Sequence, residues 1–373
     1  MAARNSTDVF IIGGGPAGLA AAITARQRGM KVMVADGAEP PIDKPCGEGL
    51  LPDGLAALSR LGIQLPSAEA FRFRGIRFVG ASSAAETLFP KQDYGVALRR
   101  PVLHRVMSER AEQMGAELLW KTPVTGISSE GVCAGNRFIR ARWIVGADGS
   151  NSRVRRWAGL EECSQPRLRY AFRRHYRVAP WTDHMEVHWG DRCQGYATAV
   201  GADQVCVAVA SKDPNLRLDE SLNYLPRLAE RLKGAELVTA ERGAITGNRR
   251  LQRVWRGNVA LLGDASGTVD AITGEGLGLA FNQAVALAQC LESGDLAPYQ
   301  FEHRRLAARP LLMARLMLTL DGRPKLQHRT LQAFRMRPQI FRRLLALHVG
   351  ALPQQRLVWD GLALGWGLLT AES

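Results

Sequence analysis

The chain has 373 residues, 46% of them hydrophobic, with Lys and Arg outnumbering Asp and Glu by 49 to 35. That length and apolar content suit one large α/β domain with a smaller companion, or two ordinary domains, and exclude a disordered chain. The formal net charge of +14 points to an acidic partner (nucleic acid, an anionic membrane surface, an acidic carrier or substrate) or to no more than a solvated Arg-rich face.

A short polar leader, Met1 to Thr7, runs directly into a strand and does not read as a signal peptide. Residues 8–12 (DVFII) form an apolar run expected of a buried parallel strand, and a glycine cluster follows. An Ala-rich helix is expected from about Pro16 to Arg28, then a strand over 31–36, which completes a β-α-β unit. Residues 40–54 read as a loop, 70–80 and 84–98 as short strands, and 101–115 as a helix. From 165 to 210 the pattern turns to period-two alternation, which signals an antiparallel sheet. The run 258–265 returns to buried-parallel character, a long helix is expected over about 275–292, and the chain after 300 is helical and Arg-rich. No apolar stretch approaches the roughly 20 residues that span a bilayer.

The fold class expected is α/β: a Rossmann-type nucleotide-binding domain interleaved with a smaller antiparallel-sheet substrate domain, plus a helical C-terminal extension. The nucleotide domain would take residues 1–66, 96–160 and 250–300, the substrate domain 67–95 and 161–249, and the extension 301–373. Six cysteines, at 46, 133, 163, 193, 206 and 290, show no C-x-x-C spacing, so reduced thiols and a cytoplasmic location are the simplest expectation.

Three segments carry chemistry. Gly13-Gly14-Gly15-Pro16-Ala17-Gly18 fits G-x-G-x-x-G between a strand and a helix. Gly13 serves the tight turn, Gly15 the approach of a pyrophosphate, and Gly18 the packing of helix on strand; Ala17 lies within the same turn. The helix N-terminus favours the anion. Asp36 stands where a carboxylate accepts a ribose hydroxyl. The second segment is Gly146-Ala147-Asp148-Gly149. The third is Gly263-Asp264-Ala265-Ser266-Gly267, followed by Thr273-Gly274-Glu275-Gly276-Leu277.

These three motifs, in this order, resemble the flavoprotein aromatic hydroxylase and geranylgeranyl reductase superfamily, over nearly the whole chain to about residue 300. The resemblance implies FAD as cofactor, with NAD(P)H as electron donor or a donor protein in its place. It implies that Asp264 binds the ribityl chain and that Asp148 lies in a segment used for flavin and nicotinamide. Arg100, heading R-x-x-L-H, would contact the FAD phosphate region, although His104 stands where relatives carry an acid. At Gly274, Gly276 and Leu277 backbone N–H groups would meet the flavin ring.

The segment Asp43-Lys44-Pro45-Cys46-Gly47-Glu48-Gly49 resembles the K-x-C-G-[GE]-G element of the geranylgeranyl reductase branch, which lies near the flavin ring. Cys46 reads either as a positioned thiol or as a small buried hydrophobe. The substrate sheet, however, carries Gly195 to Val200 without the aromatic, proline-containing segment usual in prenyl reductases. The reading placed first is therefore a monooxygenase that hydroxylates an apolar aromatic or polycyclic molecule. Reduction of isoprenoid double bonds is the alternative, and a flavin-dependent halogenase and a nucleic-acid-modifying flavoprotein stand behind both.

In the strand RYAFRRHYRV, Arg173, His175 and Arg177 share one face, and Phe172, Arg174 and Tyr176 the other. Arg173 and His175 are candidate catalytic residues together with Cys46, against the plain alternative of a solvated face of cross-strand ion pairs. In the tail, residues 323–366, Ile340, Phe341, Leu344 and Leu345 share a helical face opposite Arg342 and Arg343. That pattern suits a cap over the substrate cavity, a dimer contact, or a surface touching a membrane or acidic carrier. No metal site is expected, and no nucleic-acid signature accompanies the charge.

Overall fold

The computed structural model describes residues 6–161 and 168–352. Cys163 and the tail beyond Leu352 lie outside the described residues. Five parallel strands form the first sheet, in the order Val259–Leu261, Arg137–Gly146, Ser6–Ile12, Val32–Ala35 and Glu117–Leu119. The central strand is buried on both faces, so its sequence is continuously apolar: Val9, Phe10 and Ile11 have no exposed surface. The short strand Trp255–Arg256 closes one edge antiparallel, and the hairpin Val124–Ile127 and Gly131–Ala134 extends from Arg137–Gly146.

Helices Pro16–Gln27, Arg100–Gln113 and Gly276–Ser293 pack together beside this sheet. Pro16, first in the first helix, and Pro101, second in the next, fix φ where the N–H would be an orphan anyway. The helix Gly276–Ser293 stops at Gly294, whose φ of 82° ends it in the left-handed region.

The second sheet is mainly antiparallel. Its strands Leu168–Arg177, Gln204–Ser211, Cys193–Ala199, Met185–Trp189, Gly75–Val79 and Ala84–Leu88 are neighbours in that order. Gly75–Val79 pairs parallel with Met185–Trp189, so the segment around 75–88 joins a sheet built mostly from residues after 168. One face of the sheet packs Phe172, Val205, Val207 and Val209 against the helical segment Leu218–Leu232. Part of the other face is covered by helices Pro324–Met336 and Pro338–His348, which bury Leu331, Phe334, Ile340, Phe341 and Leu345 against Ile76, Val187 and Trp189. The apolar stripe of the tail is thus a cap on the second sheet, as its 3.6-residue period allows. The part of the tail from 353 to 366 lies outside the described residues.

Candidate functional site: the groove between the two sheets

The glycines separate into two kinds. A Cβ on Gly13 would strike the Ala147 carbonyl, and one on Gly18 would strike the carbonyl of Gly13. Gly263 is closed by the Ala17 methyl, 2.8 Å from where its Cβ would be. The first two hold backbone to backbone and the third packs against a helix side chain, and the φ of 112° at Gly13 allows the turn. At Gly15, Gly47, Gly274 and Gly276, by contrast, nothing stands within 4 Å of a Cβ. Four glycines from three separate segments therefore face open space.

The polar groups around that space suit a dinucleotide. No side chain caps the N-terminus of Pro16–Gln27, so its first-turn N–H groups remain for an anion. Asp36 accepts from the Gly14 N–H at 2.7 Å and from the Ala38 N–H at 2.8 Å, which orients its carboxylate. Asp264 is solvent-accessible, yet burial raises its pKa against the opposing pull of Lys44 and Arg100. Such a combination belongs to a group at the floor of an open crevice. The buried His104, which replaces the family acid, donates through Nε2 to the Gly14 carbonyl at 2.9 Å and so fixes the glycine turn.

Two further expected ligands are engaged with partners in the protein. The Asp148 carboxylate accepts from Ser152 Oγ at 2.5 Å and from the N–H groups of Arg153 at 2.7 Å and Val154 at 3.2 Å. It is spent on the start of helix Arg153–Trp157. Arg100 is buried beside the Cys46 loop: its N–H donates to Glu48 Oε1 at 2.9 Å, and Nη1 stands 3.7 Å from Cys46 Sγ. Arg155 also organises the groove. Fully buried, it donates to the Ser150 carbonyl at 2.9 Å and the Ala265 carbonyl at 3.1 Å, which ties the second motif to the third.

The Cys46 loop is bound to the second sheet through Glu48. Its φ of 60° is a left-handed conformation that costs a non-glycine residue about 1–3 kcal/mol. Its carboxylate accepts from Arg173 Nη1 and His175 Nε2, both at 2.7 Å, as well as from Arg100 N–H. Arg173 also grips both carboxylate oxygens of Asp43, at 2.9 and 3.0 Å, and His175 Nδ1 lies 2.9 Å from Thr239 Oγ1. Arg173 is 2% exposed and His175 0%, which removes the solvated-face reading. Arg177, at the strand end, pairs with Asp203 and Glu236 in solvent. The donor atoms of Glu48, His175 and Cys206 lie within 4.8 Å of one another. A guanidinium on the same carboxylate makes that triad a poor cation site.

The same sheet face grips the other flavin loop. Arg169, 2% exposed, bridges Asp270 and Asp321 at 3.4 Å each, and Tyr196 donates to the Ile272 carbonyl at 3.1 Å. Between these anchors Ala171, Ala208 and Tyr196 stay half-buried although they lie on inner strands of the sheet. Their partial exposure marks a stretch of this face that the loops leave incompletely covered. Glu275, beside Gly274 and Gly276, is buried at 4% exposure, with Arg309 at 3.5 Å and His348 at 3.4 Å. Burial pushes its pKa up to about 8, so it stays protonated near neutrality.

Lys44, Glu48, Arg155 and Glu275 were not singled out from the sequence. Lys44 and Glu48 stand inside the K-x-C-G-[GE]-G element and Glu275 inside Thr273–Gly276, so motif membership was the available signal. Arg155 offered none beyond its place two residues into a helix.

Residues 6–188 match the FAD binding domain family. Over 329 residues the chain is 29% identical to a menaquinone reductase of Mycobacterium tuberculosis, covering 80% of this chain and 79% of that one. Over 324 residues it is 28% identical to a digeranylgeranylglycerophospholipid reductase of Thermoplasma volcanium, covering 78% and 80%. A flavoprotein/dehydrogenase from Cytophaga hutchinsonii shares the fold, with a TM-score of 0.83 at 20% identity over 97% of this chain and 99% of that one. With this match and these reductase relatives, the protein is an FAD-dependent oxidoreductase.

Proposed function

We propose that this oxidoreductase uses FAD to saturate carbon–carbon double bonds of an isoprenoid chain, with NAD(P)H or a reduced electron-carrier protein as donor. The observation that carries the reading is the Asp43–Gly49 loop, which holds Cys46 half-buried beside Arg100 and anchors through Glu48 to the sheet opposite. The names of the two reductase relatives point to polyprenyl substrates. The half-buried Ala171, Ala208 and Tyr196 offer apolar surface against which such a chain would lie. Hydroxylation, placed first on sequence alone, ranks second because nothing in the groove favours an aromatic ring over a chain.

Bound FAD would supply hydride chemistry; the chain's residues do the rest. The N-terminus of Pro16–Gln27 takes the pyrophosphate, Asp36 the ribose, and Asp264 the ribityl chain, while Gly274 and Gly276 let backbone approach the ring. Saturating an alkene adds one hydride and one proton. Burial raises the Cys46 pKa, against the opposing pull of Arg100, so Sγ holds a proton at neutral pH. That thiol would donate it to the substrate carbon that does not receive the hydride and would be reprotonated from solvent. Arg173 and His175 act as positioning residues, since both are consumed by Glu48 and Asp43 behind the loop.

The test is anaerobic reduction of the FAD-loaded protein by NADH, NADPH or dithionite, followed by an isoprenoid quinone or a geranylgeranyl lipid. Product mass should rise by two hydrogens per double bond. A product that gains one oxygen atom from an aromatic substrate in air, with isoprenoids untouched, would assign the protein to the monooxygenases.

A further inference from the structure

We propose that helices Pro324–Met336 and Pro338–His348 form a docking surface for an anionic lipid bilayer. From Gly322 to Leu352 the chain carries seven Lys and Arg and no Asp or Glu, which is half of its formal net charge of +14. All seven cations, from Arg323 to Arg343, are exposed. The opposite faces are already spent, because Leu331, Phe334, Ile340, Phe341 and Leu345 are buried on the second sheet.

Helical geometry gathers the charges. Lys325, Arg329 and Met336 fall on one stripe of Pro324–Met336, at i, i+4 and i+11. Where the two helices meet, residues 335–339 are exposed without a break. At that corner Met336 is 71% exposed, between Arg335 and Arg337. An apolar side chain flanked by guanidiniums fits the boundary between headgroups and acyl chains: the cations meet lipid phosphates while the thioether enters. A nucleic acid fits less well. Phe334 and Phe341 are stacked on each other at 4.4 Å and buried, so neither is available to stack on a base.

The position of the surface also suits a substrate drawn from a bilayer. Helix Pro338–His348 has 11 residues, about 16 Å at 1.5 Å per residue, and its last residue reaches Glu275 beside the flavin loop. The charge pattern itself stands whatever the substrate.

The test is cosedimentation of the full-length, FAD-loaded protein with vesicles of phosphatidylglycerol and phosphatidylcholine, against phosphatidylcholine alone. Binding should require the anionic lipid and fade as salt rises. Arg329→Glu with Arg335→Glu should lower the partition coefficient at least about tenfold. Arg227→Glu with Lys233→Glu makes the same change of charge at exposed positions beside the second sheet and should lower it far less. Met336→Ser should lower it several-fold without changing the salt dependence. An unchanged flavin spectrum in each variant shows that the fold is kept. Equal losses in the two double variants, or binding indifferent to phosphatidylglycerol, would overturn the proposal. Retention on a polynucleotide column lost only in Arg329→Glu/Arg335→Glu, with no vesicle binding by the unmodified protein, would assign the surface to nucleic acid and overturn it too.

Discussion

The strand Leu168–Arg177 has two faces made of similar residues and put to different uses. On one, Arg169, Arg173 and His175 are buried and engage carboxylates on the flavin loops: Asp43, Glu48 and Asp270. On the other, Arg174 sits at the rim of an apolar layer formed by Phe172, Tyr176 and the segment 218–232, and pairs with the exposed Asp219 at 2.6 Å. Alternation along a strand puts arginine on both faces. Only the face turned to the cofactor domain removes arginine and its partners from water. A buried ion pair is expensive to form and more expensive to halve, so it fixes geometry more than it adds stability. The second sheet thereby sets the positions of the Cys46 loop and the 270–274 turn.

Removing one partner on the buried face should show the largest effect. Arg173→Ala leaves Glu48 and Asp43 without their shared guanidinium and should cost about 3–5 kcal/mol in urea unfolding. Arg173→Ala combined with Glu48→Gln should cost less than the two single losses added together, since neither charge is then left alone.

Next comes Glu275, where the effect depends on pH. Its folded pKa, about 8, lies above the ordinary carboxylate value of 4.5, so the folded state binds the extra proton between those limits. This contribution to stability is complete below pH 4.5 and is lost as pH rises through 8. Burial lowers His348 to about 4, which gives the opposite slope between 4 and 6.5 and offsets Glu275 there. A net fall is therefore expected between about pH 6.5 and 8. Glu275→Gln should remove that fall, as followed by Tm against pH.

Gly276→Ala should separate the cofactor groove from the frame. Nothing stands near its Cβ, and it begins a helix, so the apoprotein should gain about 0.5–1 kcal/mol while FAD binding weakens. The smallest effect belongs to Arg174→Ala. Glu241 keeps Arg217 as a partner and Asp219 returns to water, so the loss should stay below about 1 kcal/mol.

The cofactor half of the site was legible because its chemistry is written in backbone geometry. Gly13, Gly15 and Gly18 each answer a steric demand that few other residues meet, and their spacing survives in sequence. The two faces of Leu168–Arg177 were legible too, through period-two alternation. Which face was buried was not, because Arg173 and His175 look like solvent residues until Glu48, 125 positions from Arg173, closes on them. Asp148 was legible only as a motif member: a carboxylate in a glycine turn suits a ligand and a helix cap equally, and its bond from Ser152 was not visible in sequence. The tail was readable where periodicity ruled, at Ile340 and Phe341, but sequence alone did not show what that stripe covers.

The most direct measurement is FAD titration into the apoproteins of the unmodified chain, Glu48→Gln, Arg173→Ala and Arg174→Ala, by quenching of flavin fluorescence, with unfolding free energy measured on the same samples. If the buried face of the second sheet sets the flavin loops, Glu48→Gln and Arg173→Ala will weaken FAD binding by about tenfold or more, a loss of at least 1.4 kcal/mol, and Arg174→Ala will leave it unchanged. Equal FAD affinities in all four proteins, or a loss in Arg174→Ala as large as in Arg173→Ala, would contradict it.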